Sequence, residues 1–210
     1  MMLTRRTALL AAAGACAGAL APPTARAGGQ LEEPLADAVR TALSAAVTDE
    51  APPRPRFDAI EERLAYLRWL GAASAKLERR LSEHHTRIDF LEAAWYESRR
   101  ARLDPALVLG LIQVESGFRK YAISVAGARG YMQVMPFWVR LIGGSDGGDA
   151  RRLFHLQTNL RFGCVILRHY LELEGGNEFM ALGRYNGSRG RGEYPGAVFA
   201  ARRAWSLRLA

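Results

Sequence analysis

The chain has 210 residues, of which 49% are hydrophobic and 24% are charged, and its formal net charge is +8. This composition excludes an intrinsically disordered chain and provides enough apolar surface for one globular domain with a core. The basic excess permits an anionic partner, such as a polymer or a membrane or envelope surface, but net charge does not choose among these.

The first 27 residues have the order of a secretory signal peptide. Arg5 and Arg6 precede an apolar run of small residues, which ends in Ala-Arg-Ala at 25–27. This run is too short and too rich in alanine to be a transmembrane helix. We therefore predict an exported, periplasmic protein, with general or twin-arginine export left open. Cys16 lies in this segment and is a candidate lipid attachment point, which would make the product an outer-membrane lipoprotein.

Residues 28–85 are expected to form an N-terminal helical extension. Apolar residues recur at helical intervals between 35 and 47, and the Pro-rich stretch "APPRPRF" at 51–57 then breaks the helix. A second amphipathic helix is predicted to bury one apolar stripe, and "EHHTRIDF" is expected to interrupt it. The stripe consists of Ile60, Leu64, Leu67, Leu70, Leu77 and Leu81.

Residues 86–210 are predicted to form a helical core domain. Helices are expected at about 88–102, in "MPFWVRLIGG", in "QTNLRFGCVILRHYLELEGG" before Gly175-Gly176, in "EFMALGRYN" and in "AVFAARRAWSL". Asp104 followed by Pro105 is a strong helix start signal for Ala106–Phe118. No segment alternates with period two, so the predicted class is all-α. If Cys16 is removed with the leader, Cys164 has no disulfide partner and should be a small buried helical residue.

Glu115 is an ionisable residue at the end of the apolar run "ALVLGLIQVESGF". Burial there would raise the pKa of its carboxyl, which is what a general acid needs near neutral pH. The alternative is a partly exposed glutamate paired with Arg119 or Arg129. The helix dipole counts mildly against a structural carboxylate at this end of a helix.

The segment from Ser116 to Ser145 contains no acidic residue but is rich in Gly, amide, hydroxyl and aromatic side chains. Such a composition suits the wall of a cleft for a neutral ligand such as a sugar chain, although ordinary loop residues would also account for it. Glycosidases usually need a second carboxylate, and none is supplied close to Glu115 in the sequence, although Asp104, Asp146 or Glu178 could fold in. A mechanism with one carboxyl plus the substrate's own groups therefore fits better. No metal site or cofactor is predicted, since the histidines at 84–85 lack ligand spacing.

Three motifs, "ESGF", "SVAGARGYMQVMP" and "RYN", together resemble the signature of the soluble lytic transglycosylases, peptidoglycan-cleaving enzymes with a lysozyme-like helical fold. Ser124, Gln133 and Met135 follow Glu115 by nine, eighteen and twenty residues, and the resemblance covers about 86–200. It implies that Glu115 is the catalytic acid and base. The residues implied to bind or brace the sugars are Ser124, Met132, Gln133, Met135, Asn159, Tyr185 and Asn186.

The resemblance further implies cleavage of the bond between N-acetylmuramic acid and N-acetylglucosamine, with a 1,6-anhydro product. The implied partner is therefore the peptidoglycan glycan strand and not nucleic acid, and the protein is expected to be a monomer. Tyr185 is expected to hydrogen-bond near Glu115 and orient it. Tyr131 and Arg184 depart from the common pattern, and Glu193 is a weak candidate for a glutamate that some members place near the sugars. A hydrolysing muramidase and a non-catalytic wall-binding scaffold remain as alternatives.

Overall fold

The structure is a computed structural model that describes residue 41, residues 55–143 and residues 149–206, without the side chains of 141–143. The predicted signal peptide, Cys16, most of the predicted helix between 35 and 47, and Asp146 lie outside the described residues. Within them, seven α-helices occur, and a 3₁₀ helix spans Ala150–Phe154. They are α1 Ile60–Leu77, α2 His84–Arg100, α3 Pro105–Glu115, α4 Phe137–Gly143, α5 Leu156–Leu173, α6 Glu178–Asn186 and α7 Glu193–Trp205.

The all-α prediction is confirmed, because the described part of the chain contains only helices and two isolated β-bridges. The predicted helices α4 to α7 are all present. Gly175 and Gly176 have φ angles of 60° and 86°, so the left-handed backbone after α5 ends that helix as expected. Cys164 is buried and free, as expected for a small core residue. Over the described ranges, no helix has the length and apolar character that crossing a membrane requires.

Helix α3 lies at the centre of the core. Its N-cap is Asp104, whose side chain accepts a hydrogen bond from the Ala106 amide at 2.9 Å, and Pro105 occupies the first turn. The helix is apolar on all sides and nearly every residue is buried, as expected for a core helix. It ends at Glu115, three residues earlier than predicted, because Gly117 and Phe118 adopt left-handed backbones with φ of 59° and 68°.

Helix α7 packs closely along α3. A Cβ added at Gly110 would lie 2.7 Å from the Arg202 backbone nitrogen, so only glycine permits this approach. At one end, the Arg202 guanidinium pairs with Asp104 and with Glu178, each at 2.7 Å. Trp205, in the same last turn of α7 as Arg202, donates from Nε1 to Gln113 Oε1 at 3.0 Å. These contacts fix the position of α7 relative to the carboxyl end of α3.

Helices α2 and α5 are joined by a buried ion pair. Arg161 Nη2 lies 2.9 Å from Glu97 Oε1, and both side chains are only 1% exposed. Gln157 also donates to this carboxylate. Burial raises the pKa of Glu97, and the Arg161 guanidinium opposes that shift. Removing one partner would leave an uncompensated charge in the core, so the pair specifies how α5 is seated on α2.

Two predictions for the region before residue 88 are wrong. Ile60, Leu64 and Leu67 of the predicted buried stripe are exposed, because the larger aromatic face of α1 is buried instead. On that face, the rings of Trp69 and Trp95 lie 4.7 Å apart between centroids.

The predicted interruption at "EHHTRIDF" is also wrong. Helix α2 begins at His84, and the Glu83 side chain caps it by accepting from the His85 amide at 2.8 Å. The non-helical segment that separates α1 from α2 lies at 78–83 instead. The division into an extension to residue 85 and a domain from residue 86 stays a prediction.

Candidate active site

Glu115 is the last residue of α3 and is 7% exposed. Burial raises the pKa of its carboxyl from 4.5 to about 8, because the charged form loses hydration that the surrounding core does not replace. The end of the helix adds to this effect, since its carbonyl dipoles disfavour a negative charge. A carboxyl in this place holds its proton at neutral pH and can donate it to a bound substrate.

Tyr194, near the start of α7, is the hydrogen-bond partner of this carboxyl. Its hydroxyl donates to Glu115 Oε1 at 2.5 Å, and this bond lowers the Glu115 pKa against the larger effect of burial. Glu115 Oε2 has no hydrogen-bond partner among the described residues. The alternative pairing with Arg119 or Arg129 is wrong: Arg119 Nε donates to the Ser116 carbonyl, and the Arg129 guanidinium lies over the Phe154 ring.

The hydrogen bond expected from Tyr185 near Glu115 goes to the loop after α3, and that Tyr185 helps to orient Glu115 stays a prediction. The Tyr185 hydroxyl donates its one proton to the Met132 carbonyl at 2.8 Å, and Tyr194 donates to Glu115 instead. Burial raises the pKa of the Tyr194 phenol, and the nearby Glu115 and Tyr185 add to that shift. Tyr194 thus binds the carboxyl, and Tyr185 binds the loop that follows α3.

That loop is tied directly to the end of α3. Ser116 Oγ donates to the Tyr131 carbonyl at 2.7 Å. Gln133 is 2% exposed and donates from Nε2 to the carbonyls of Ala122 and Gly130, at 3.1 and 2.9 Å. Its φ of 49° is unusual for a residue with a side chain, so these bonds hold a strained backbone. Gln133 is therefore a rigid part of the loop.

Asn159 on α5 braces the same loop from behind. Its Oδ1 accepts from the Met132 amide at 2.8 Å, and its Nδ2 donates to the carbonyls of Arg129 and Leu153 at 2.9 and 2.8 Å. The side chain has no exposed surface. Gly130 permits this contact, because its φ is +75° and an added Cβ would lie 2.8 Å from Asn159 Cγ. Asn159 thus shapes the loop without reaching the surface.

The other predicted substrate-binding residues differ in exposure. Ser124, Met135 and Asn186 are half-buried and reach the surface. Met132 is fully buried, and its side chain packs where a Cβ at Gly163 would lie. Asn186 ends α6 and donates from Nδ2 to Ser188 Oγ at 3.0 Å.

Arg184 lies on α6, and Glu193 begins α7. The Arg184 Nε pairs with Glu174 Oε1 at 2.5 Å. Glu193 is exposed at the first position of α7, next to Tyr194.

The candidate second carboxylates lie away from Glu115 where they are described. Asp104 caps the opposite end of α3, about 15 Å away for a helix of this length. Glu178 is held by Arg202, which also binds Asp104. Glu115 is thus separated from the two candidates that the structure describes, while Asp146 lies outside the described residues.

Tyr194 is the site residue that the sequence reasoning missed. It lies 79 residues after Glu115, and no local spacing connects the two. The available signal was its place in "GEYP" at 192–195, at the end of the Gly-rich stretch and just before the predicted last helix. The close packing of α7 on α3 brings it to the carboxyl.

Comparison with known proteins finds a family match over the part of the chain that contains this site. The family model "Transglycosylase SLT domain" matches residues 92–201. Membrane-bound lytic murein transglycosylase C of Mannheimia succiniciproducens is 49% identical over 47 residues, which are 22% of this chain and 13% of the relative. The protein of the same name from Histophilus somni strain 2336 is 38% identical over 73 residues, 32% of this chain and 20% of the relative.

This chain therefore aligns with only a small part of those longer relatives. A solved structure of an inactive mutant of lytic transglycosylase Slt from Pseudomonas aeruginosa has a TM-score of 0.49 and 21% identity. The likeness covers 68% of this chain and 29% of that one. The matched family region, 92–201, contains both Glu115 and its partner Tyr194, and on this match the chain belongs to the transglycosylase SLT domain family.

Proposed function

We propose that this protein is a peptidoglycan lytic transglycosylase that cleaves the β-1,4 bond between N-acetylmuramic acid and N-acetylglucosamine. Membership of the SLT family and the names of the relatives, lytic murein transglycosylases, support this activity. The observation that carries it is the Glu115 carboxyl, buried at the end of α3 with a pKa near 8 and held by Tyr194.

In the first half of the reaction, Glu115 donates its proton to the glycosidic oxygen as the bond to C1 of N-acetylmuramic acid breaks. The substrate's 2-acetamido oxygen shields the positive charge that develops at C1. A positioned proton transfer of this kind typically contributes about 10²–10⁴-fold to the rate. The rest of the acceleration comes from binding and distortion of the sugar.

In the second half, the ionised Glu115 takes the proton from the C6 hydroxyl of the same sugar. The C6 oxygen then attacks C1 and closes a 1,6-anhydro ring, so no water enters the product. Tyr194 donates to the carboxylate throughout, which stabilises its charged form between the two steps. The distance of Asp104 and the engagement of Glu178 support this one-carboxyl route over hydrolysis.

The other residues are assigned to positioning and binding. Ser124, Met135 and Asn186 reach the surface and would contact the glycan. Met132, Gln133, Asn159 and Tyr185 would act from beneath, because their side chains are buried and hold the loop after α3.

Product analysis tests the proposal. Purified peptidoglycan is digested with the wild-type protein, with Glu115→Gln and with Glu61→Gln as the matched control, since Glu61 is exposed in the first turn of α1. We expect anhydro products from the wild type and the control, and none from Glu115→Gln. Products heavier by one water would indicate a hydrolysing muramidase. Binding without cleavage by the wild type would indicate a scaffold.

We further infer that the protein acts in the cell envelope as an exported, monomeric enzyme. The supports are the signal-like order of residues 1–27 and the envelope setting named for the relatives. Fractionation of cells that produce the full chain tests this, with and without Cys16→Ser. Recovery in the periplasm in both cases would exclude a lipid anchor at Cys16.

A further inference from the structure

Three apolar side chains stand exposed on the loop that precedes the turn at Gly127. Tyr121 is 70% exposed, Ile123 63% and Val125 111%, whereas Ala122 and Ser124 between them are half-buried. In a segment that alternates in this way, polar residues normally occupy the exposed positions. Here the pattern is reversed, so this surface presents apolar tips to its surroundings.

The backbone of this loop is well fixed. Ile123 and Arg129 form an antiparallel bridge, and the Ser124 amide donates to the Ala128 carbonyl at 3.0 Å. The Ser124 hydroxyl accepts from the Ala128 amide at 3.1 Å. The exposed Tyr121, Ile123 and Val125 lie within five consecutive residues of this fixed loop, so their side chains project from one short stretch of surface.

Cations surround these apolar tips. The Lys120 ammonium lies 5.4 Å from the Tyr121 ring centre, and the Arg129 guanidinium lies 5.7 Å from the Phe154 ring centre. The centres of the Tyr121 and Phe154 rings are 5.7 Å apart, so both cations lie beside one pair of neighbouring rings. Neither cation has an ion-pair partner among the described residues, and the sequence from 116 to 145 contains no acidic residue at all.

We propose that this surface, the 120s face (Lys120, Tyr121, Ile123, Val125 and Arg129), docks on an anionic lipid surface. Exposed aliphatic and aromatic tips ringed by cations match the chemistry of interfacial binding, in which apolar groups enter the headgroup boundary and cations meet lipid phosphates. Ile123 and Val125 offer no hydrogen bond to a sugar, so the face suits lipid better than glycan. This inference goes beyond the proposed activity and does not depend on it.

Ser124, which we propose to contact the glycan, lies in the same loop as the 120s face. Ser124 turns its hydroxyl into the loop, away from the exposed tips on either side of it. Docking would therefore bring the exposed tips to the lipid and keep the Ser124 hydroxyl on the inner side of the loop.

A site-specific dye tests the proposal in the full chain. In a Cys16→Ser background, Val125→Cys is labelled with an environment-sensitive fluorophore, while Cys164 stays unlabelled because it is buried. Leu64→Cys on α1 is the matched control, since Leu64 is also an exposed apolar residue, at 46%. Vesicles of phosphatidylglycerol and phosphatidylcholine are compared with vesicles of phosphatidylcholine alone.

We expect the dye at position 125 to brighten and shift to shorter wavelength with the anionic vesicles, and the dye at position 64 not to respond. Lys120→Gln and Arg129→Gln should each weaken binding roughly five-fold at low salt, and Arg63→Gln on α1 should not. No response at 125, or an equal response at 64, would refute the docking face. A response to purified peptidoglycan but not to lipid would also refute it. The lipid arm contains no glycan, so its outcome is separate from that of the cleavage assay.

Discussion

The high pKa of Glu115 predicts that the catalytic carboxyl destabilises the folded protein in a pH-dependent way. In the folded protein it holds its proton up to about pH 8, whereas an ordinary glutamate loses it above 4.5. Between these values the unfolded chain binds fewer protons than the folded one. Stability must therefore fall as the pH rises through this window.

The size of the effect follows from the same shift. Each unit of pKa difference corresponds to about 1.4 kcal/mol, so the carboxyl costs about 2 kcal/mol at pH 6 and about 4 kcal/mol at pH 8. Small proteins are stable by only about 5–15 kcal/mol in total, so this is a substantial share. Glu115→Gln removes the titration while leaving an oxygen that can accept from Tyr194. Its unpaired amide should cost about 1–3 kcal/mol at every pH.

Urea unfolding at a series of pH values measures the difference between Glu115→Gln and the wild type, in which all other titrations cancel. We expect the variant to gain on the wild type by about 1.4 kcal/mol per pH unit between pH 5 and 8. The control is Glu174→Gln. The guanidinium groups of Arg189 and Arg184 lower the Glu174 pKa to about 2, so its contribution is lost only as the pH falls below 4.5. The control difference should be flat from pH 5 to 8. A flat difference for Glu115→Gln as well would refute a buried, protonated carboxyl.

Three further changes test the rest of the site. Tyr194→Phe removes the hydrogen bond that lowers the Glu115 pKa, so the alkaline limb of the pH–activity profile should move upward by roughly one unit. Tyr185→Phe, in which the lost bond goes to a carbonyl, should move that limb much less; equal shifts would contradict the assignment. Asn159→Ala breaks three buried hydrogen bonds and should lower the urea-unfolding free energy by about 2–4 kcal/mol. Gly130→Ala should lower both stability and activity, measured on the same preparation, because of its left-handed backbone and its contact with Asn159.

Much of the fold could be predicted because local signals agreed with the tertiary structure. Asp104 and Pro105 mark the start of α3, and Gly175 and Gly176 follow the end of α5. Where a helix has two apolar faces, the sequence alone did not show which face is buried. Helix α1 is apolar on two faces, and the position of Trp95 on α2 determines which face is buried.

The site was only partly predictable for a similar reason. The burial of Glu115 follows from its apolar helix, which is a local property. Its partner does not, since Tyr194 reaches it only through the packing of α7 on α3 at Gly110. Tyr185 was the nearer candidate by motif, but its proton goes to Met132. Hydrogen-bond partners across 79 residues depend on helix packing, which no sequence spacing encodes.

The arrangement explains how the chain tolerates a carboxyl at the end of its most apolar helix. The group is kept neutral by burial and by the helix dipole, so the full cost of a buried charge is never incurred at neutral pH. After Glu115 has protonated the leaving oxygen, its carboxylate is stabilised by the hydrogen bond from Tyr194 until it recovers a proton. A second strong donor would lower the pKa toward that of a surface glutamate, and the acid would then be ionised before a substrate arrived. On this argument, the unpartnered Oε2 is part of the function, and adding a cation beside it should reduce activity even though it would stabilise the carboxylate.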